Sequence, residues 1–437
     1  MSIISKFKFF TNTVIKGVVL VTFLIVLRKL APEFIDPITI AILEPSTGSV
    51  AVQAYHNSQA FITAVDEINE TGYFGFLKGI DRVRTVTISE NLKEPGALAI
   101  VKQKLLDEDV EAVFGCADSS CVRLVQPLID ELDLPFFYVR PHEGLLDSDN
   151  FVFIGPLPNQ MTAPAVQWAL ENLGTRAYIV GSNTVYSNII GEIVAEEVRL
   201  NGGEITGEIY YGLGVSELGA LPEQWNKQET DVIFNVAESD TNVSFIKRLS
   251  VHAPLPGLPE IFFLDEDRGE VSKRDSWEWE GYYIASTYNY LLETEANKEF
   301  LSRWEDRMGG ALNAGASEAG AYSAIKLWFK ARSSLRPGEK RTTIDALLGL
   351  SMALPMGDTT VGWTTPHINH HVVLYRFDQS GDAKVVWEDG TDRIAIMRPV
   401  FKSAEQWKAL LDNFEAKTSG KWYSKETVVV PADRDEP

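Results

Sequence analysis

VFGCADSSCVRLVQPLIDELDLPFFYVRPHEGLLDSDNFVFIGPLPNQ, residues 113–160, packs two strand signals, a helix signal and two polar turns into 48 residues. Its start, with Ala112, predicts a short apolar strand that runs into Gly115-Cys116-Ala117-Asp118-Ser119, a loop of small and polar residues. An amphipathic helix is expected over 121–131, then a second buried strand at Pro135-Phe136-Phe137-Tyr138. That strand gives way to a polar turn, Arg140-Pro141-His142-Glu143-Gly144. Two successive strands of a parallel sheet therefore end in polar side chains beside free backbone donors, which is the edge where small ligands sit in open α/β sheets. The segment holds no obvious nucleophile–base pair, so it reads as a binding site rather than a catalytic one.

Outward from this stretch the same alternation continues. Towards the N-terminus, strands are expected at 38–43 and 83–88, with helices over 50–69 and 95–106 between the strands. The turn after the first of these strands, Glu44-Pro45-Ser46-Thr47-Gly48, is again small and polar. A short strand at 151–154 ends the first series, and the rhythm breaks at the sequence GPLPNQ, residues 155–160. It then restarts with helices over 163–173, 189–200 and 242–249 and strands at 177–180, 208–211, 231–235, 261–264 and 281–285. Repeated β-α-β units require parallel sheets covered on both faces. The expected fold class is α/β, two Rossmann-like halves, although neither half has the G-x-G-x-x-G loop of a dinucleotide site. Further helices are expected over 318–331 and 343–348, and a hairpin over 371–377 and 383–387 turned at 379–382.

Composition narrows the function. The 437 residues suffice for two full cores, and 45% are apolar. A formal charge of −21 repels phosphate backbones and excludes nucleic acid as a partner. The first 35 residues stand apart: Lys6, Lys8 and Lys16 precede an apolar run over 17–27, which Arg28 and Lys29 close. This is a secretory signal peptide or an uncleaved membrane anchor. Either places the rest of the chain outside the cytoplasm. Cys116 and Cys121 are the only cysteines. They could pair if Cys116 faces the helix, or serve as two small core residues.

The segments FGCADSS, FYVRPHEG, GPLPNQ, IVGSNTVY, FNVAESDTNVSF, YNYLLETEANKEF and NHHVVLYRFDQSG together carry a resemblance over residues 38–407. The chain resembles the type I periplasmic binding proteins, in the branch of urea transporter receptors and of the amide sensor that regulates an amidase. That resemblance implies two lobes joined by three crossings, near Pro156, near Thr287-Tyr288 and near Pro366-His367. The N-terminal lobe would comprise 36–155 and 288–365, the C-terminal lobe 156–287 and 366–437. Closure of the lobes would bury a small polar solute for delivery to an ABC permease; the second reading is a sensor that signals ligand occupancy to a partner protein. No cofactor and no reaction are implied.

The family's ligand positions transfer where the motif matches: Ser119 in the loop, Tyr138 at the next strand end and Tyr186 in the second lobe, with Tyr288 near the crossing. Departures from the family pattern are as telling. Ala117 stands where a bulky aromatic is usual, Thr184 where a tyrosine is usual, Arg140 where a small or neutral residue is usual, and the positions around Glu238 are altered. Lost rings enlarge the pocket, and Arg140 brings a planar cation suited to a carboxylate. Glu238 and Asp118 could balance an ammonium on the same ligand. The expected ligand is therefore larger and more polar than urea, an amino-acid-like solute or an acidic amide; a structural pairing of Arg140 with Asp118 or Glu143 is the competing reading.

Other groupings read as structural. His367, His370 and His371 lack a matching set of metal ligands, so no metal is expected. Ser119-Ser120 with His142 lacks a nucleophile elbow. The acidic run 265–267 reads as a solvated loop, and Trp277, Trp279, Tyr282 and Tyr283 as core packing.

Overall fold

A computed structural model describes residues 37–71, 82–215, 218–219, 225–226, 228–250, 257–264, 280–310, 314–336, 339–378, 382–390 and 392–432. The leader, the acidic run 265–267, Trp277, Trp279 and residues 379–381 of the expected turn lie outside them. No helix among the described residues is long and apolar enough to cross a membrane.

The strands are β1 (Ile38–Leu43), β2 (Val83–Ile88), β3 (Ala112–Gly115), β4 (Phe136–Tyr138), β5 (Phe151–Phe153), β6 (Arg176–Ser182), β7 (Glu204–Tyr211), β8 (Val232–Val236), β9 (Glu260–Phe263), β10 (Tyr283–Ser286), β11 (Ser351–Leu354), β12 (Gly357–Thr360), β13 (Val373–Phe377), β14 (Ala383–Glu388) and β15 (Val428–Pro431). The helices are α1 (Ala51–Thr71), α2 (Ala97–Asp107), α3 (Ser119–Leu132), α4 (Thr162–Asn172), α5 (Val185–Leu200), α6 (Ser239–Ser250), α7 (Glu295–Met308), α8 (Ala316–Ser334), α9 (Thr343–Leu347) and α10 (Ala404–Thr418).

β1 to β5 form one parallel sheet in the order β2-β1-β3-β4-β5. The second sheet has eight strands, β14-β13-β10-β9-β8-β6-β7-β15, parallel from β10 to β7 and antiparallel at both margins. Alternate residues of each central strand feed opposite cores. Ile38, Ile40 and Ile42 pack with α1, α7 and α8, while Ala41 and Leu43 pack with α2 and α3. In the second sheet Ala177 and Ile179 face α4 and α5, while Tyr178 and Val180 face α6. This two-sided burial is why the parallel strands read as unbroken apolar runs.

The chain leaves the first sheet after Phe153 and builds the second through Ser286. It then returns to the first core, where Phe300 and Trp304 of α7 and Tyr322 and Trp328 of α8 are buried, and rejoins the second sheet at β13. A parallel bridge between Phe153 and His367 ties two of these passages together.

The expected elements are present, with shifted ends. The helix expected from Pro95 begins at Ala97, because Gly96 takes a left-handed conformation (φ 83°) that a helix interior cannot hold. α3 begins at Ser119 rather than Cys121, since the Asp118 carboxylate accepts from the Cys121 amide and caps the helix. The hairpin of β13 and β14 forms as expected and borders the second sheet. Sequence reading gave no element at α7, at the β11–β12 hairpin, or at α10 and β15.

Candidate ligand-binding site

Both sheets have their topological switch point where the polar strand ends gather. β1 and β3 are neighbours from which the first sheet grows outward in both directions, and β6 and β8 play that part in the second. After β1 comes Glu44, after β3 Asp118 and Ser119, after β4 Arg140, after β6 Thr184, and after β8 Glu238. All six are buried. α3 and α5, which start from these strand ends, pack against each other across the two units. Carboxyl ends of parallel strands and the first turns of two helices thus form one polar seam.

The first wall of the seam is a network of buried polar groups. Asn57 donates to Glu44 Oε1 (3.3 Å), Gln53 donates to Asn57 (3.0 Å) and to Glu318 Oε1 (3.4 Å), and the Gly315 amide donates to Glu318 Oε2 (2.8 Å). Glu44 Oε2 and Gln53 Oε1 have no hydrogen-bond partner among the described residues. Burial raises the Glu44 carboxyl well above its ordinary range; the Asn57 hydrogen bond and the Arg140 charge oppose this. Arg140, 4% exposed, donates to Ser317 (3.0 Å). Tyr138 lies between Ser119 and Arg140 in the same wall, and burial holds its phenol well above the usual range.

Asp118 and Glu143 have cationic partners other than Arg140. Lys93 bonds Asp118 Oδ2 at 2.5 Å, and Arg123 bonds Glu143 Oε1 at 3.1 Å. Ser119 donates to the other Glu143 oxygen (3.0 Å). Ala117 packs against Val50 and Ala54 at the start of α1. Cys116 and Cys121 are joined in a disulfide, which resolves the two readings of the pair. Cys116 is held at φ 65°, so the bond clamps a left-handed turn directly under Asp118 and Ser119.

In the second wall, Thr184 caps α5 by accepting from the Ser187 amide (3.2 Å), and its hydroxyl donates to Glu238. Ser187 also donates to Glu238 (3.3 Å), and the Glu238 amide donates to Ser182 (2.9 Å). Tyr186 belongs to the apolar core around α5. Tyr288 lies in the first core, and its hydroxyl donates to Asn297 (2.6 Å). Sequence reasoning singled out neither Glu44 nor its partners. The signal was present: Glu44 follows β1 as Asp118 follows β3.

The histidines form a stacked group that adjoins the first wall at Tyr138. His142, Phe153 and His367 stack with ring centroids 4.0 and 4.7 Å apart, and His370 Nε2 meets the Ile154 carbonyl at 2.9 Å. Burial lowers His142 well below its ordinary value, His367 to about 4 and His370 to about 3, so all three are neutral near pH 7. No metal-holding cluster of His, Cys, Asp or Glu occurs among the described residues.

Comparison with solved structures places this architecture. An ABC-transporter solute-binding protein of Rhodopseudomonas palustris HaA2 in complex with p-hydroxybenzoic acid superposes with a TM-score of 0.68 at 19% identity, covering 81% of this chain and 96% of that one. A solute-binding protein of R. palustris in complex with benzoate gives 0.71 at 12% identity, covering 83% and 99%. The branched-chain amino acid transporter substrate-binding protein of Streptococcus pneumoniae in complex with isoleucine gives 0.66 at 14%, covering 82% and 100%. These likenesses are of fold. The periplasmic binding protein domain family matches residues 38–397, most of the chain, and the chain belongs to that family of binding proteins.

Proposed function

We propose that this chain is an extracytoplasmic receptor that captures a small carboxylate-bearing solute, amino-acid-like in its charges, and presents it to an ABC permease. The observation that carries the reading is the buried Arg140 at the carboxyl end of β4, in one wall with Glu44, Asp118 and Tyr138. A buried guanidinium beside polar strand ends matches a planar carboxylate in shape and charge. Asp118, Glu44 and, across the seam, Glu238 supply acceptors for an ammonium or hydroxyl at the ligand's other end. The ligands of the structural neighbours, p-hydroxybenzoic acid, benzoate and isoleucine, are all small carboxylates, which agrees with this chemistry. Urea and short neutral amides have no charge for Arg140 to meet, so the urea and amide specificity of the resembling branch is the weaker fit.

Capture works by closure: α3 and α5 meet across the seam, and their first turns cover what lies between the strand ends. The Cys116–Cys121 disulfide suits an oxidising compartment, and the basic and apolar leader would deliver or tether the chain there. The test is a thermal-shift and calorimetric panel of amino acids, benzoates, short amides and urea on the chain from Asp36. A ligand at about 100 times its dissociation constant adds roughly 2.7 kcal/mol to stability. A response confined to urea or neutral amides, or no response at all, overturns the reading.

A further inference from the structure

The family match ends at residue 397, yet the chain continues through an ordered helix, a connecting segment and a strand. α10 is anchored on the second core: Trp407 is buried there, its indole donates to the Pro399 carbonyl (2.7 Å), and Lys402 bonds Glu192 and Glu196 of α5 (2.9 and 3.1 Å). β15 pairs with β7 of the same unit. Between these anchors, residues 419–427 run across the start of both seam helices.

Contacts with the second unit are mostly backbone. The Val185 amide donates to the Trp422 carbonyl (3.0 Å), Tyr423 makes an antiparallel bridge with Thr184, the Ser424 amide donates to Asn183 (2.8 Å), and the Leu213 amide donates to Ser424 (2.8 Å). Contacts with the first unit are made by side chains. The Ser120 hydroxyl donates to the Trp422 carbonyl (3.1 Å), the Arg123 guanidinium lies 4.9 Å from the centre of the Trp422 ring, and Lys93 lies 5.1 Å from that of Tyr423. One carbonyl therefore accepts from the first turn of α3 and from the first turn of α5. The residues gripped are neighbours of the site: Ser120 follows Ser119, Lys93 bonds Asp118, and Thr184 bonds Glu238.

We infer that residues 419–427 are a strap that latches the two units in the closed arrangement, fixed to the second unit and releasable from the first. The two sets of contacts differ in kind. Those on the second unit are continuous with a β-pairing, while those on the first are one hydroxyl bond and two ring–cation contacts. Separation of the units breaks the second set and leaves the first intact. Because the strap is part of the chain, it acts at a high effective concentration and shifts the open–closed balance without any ligand. Ligand entry then requires release of Trp422 and Tyr423 from Arg123, Ser120 and Lys93.

The test uses the ligand-free full chain, so it stands or falls apart from the nature of the solute. Spin labels on Glu131→Cys and Leu200→Cys, at exposed positions of α3 and α5, report the separation of the units; the native cysteines are bonded and take no label. The wild type is expected to give one short distance, and Trp422→Ala/Tyr423→Ala a longer or bimodal one. Amide exchange at Val185, bonded to the Trp422 carbonyl within the second unit, is expected to stay slow in that variant, as the fixed half of the strap requires. A chain ending at Ser419 should lengthen the distance further. Equal distances in the wild type and the double variant overturn the latch. Should both altered chains fail to melt cooperatively, Ser120→Ala, which removes only the hydroxyl bond to the Trp422 carbonyl, decides: a longer or bimodal distance upholds the latch, and an unchanged one overturns it.

Discussion

The two walls of the seam are built from similar strand ends but spend their polar groups differently. In the second wall, Thr184 and Ser187 both donate to Glu238, and the Glu238 amide is taken by Ser182. In the first, the chain from Glu318 through Gln53 and Asn57 to Glu44 ends on a carboxyl oxygen without a hydrogen-bond partner among the described residues, and Arg140 is held near it. A buried polar atom left unpaired costs free energy that a ligand can return. The difference supports the proposed division of labour, in which the first wall would select the solute and the second would close over it.

Four experiments test that contrast. The largest effect is expected at the stacked histidines, where His142 meets the Tyr138 ring of the first wall edge-on. Their folded pKa values lie below the ordinary one, so the stability they confer is complete above about pH 6.5 and is lost as pH falls through that range. For His367, displaced to about 4, this is worth about 3 kcal/mol. Melting curves from pH 7 to pH 4 should therefore steepen for the wild type and flatten for His367→Phe, which keeps the stack on Phe153. Next is Arg140→Met, expected to weaken binding of a carboxylate solute about 100-fold, near 2.7 kcal/mol. Ser187→Ala in the second wall should weaken it less than about tenfold. Equal losses measured by calorimetry would erase the proposed division.

Glu44→Gln carries a signed prediction. A carboxyl raised by burial gives stability that is complete below its unfolded value, near pH 4, and is lost as pH rises through the folded value. The variant should remove that decline and melt higher than the wild type at pH 8, by about 1 kcal/mol, in the absence of ligand. A variant less stable at pH 8 would mean that the charged form is the one the wall is built for. An effect of similar size is expected from Cys116→Ala/Cys121→Ala. The bond closes a very short loop, so the loss of global stability should be about 1–2 kcal/mol, and the loss of affinity should come from a looser Asp118–Ser119 turn. Unchanged affinity would show that α3 alone holds the turn.

Much of the fold was legible because parallel strands buried on both faces leave short apolar runs at regular intervals between helices. The stretch from Val113 to Gln160 gave both strands and the helix between them, and its polar ends led to Asp118, Ser119, Tyr138 and Arg140. Glu44 escaped notice although it follows a strand in the same way, because no motif marks it and the network it joins runs through Asn57 and Gln53 of α1 to Glu318 of the distant α8. The partners of Asp118 and Glu143 were equally unreadable, since Lys93 and Arg123 meet them only through packing. α10 carried a legible signal, Ser403 and Gln406 as a capping box, yet its docking rests on the single buried ring of Trp407. The strap was beyond reach: Trp422 and Tyr423 look like surface aromatics until both units are in place.

β15 has a consequence of another kind. Without it, β7 would present a free row of amides and carbonyls at the margin of an eight-stranded sheet, a template for pairing with a second chain. β15 occupies that row, and its own outer side, Val428-Val429-Val430, is short and stops at Pro431, which has no amide to offer. The fold thereby carries a built-in guard against edge-to-edge association at this margin of the sheet.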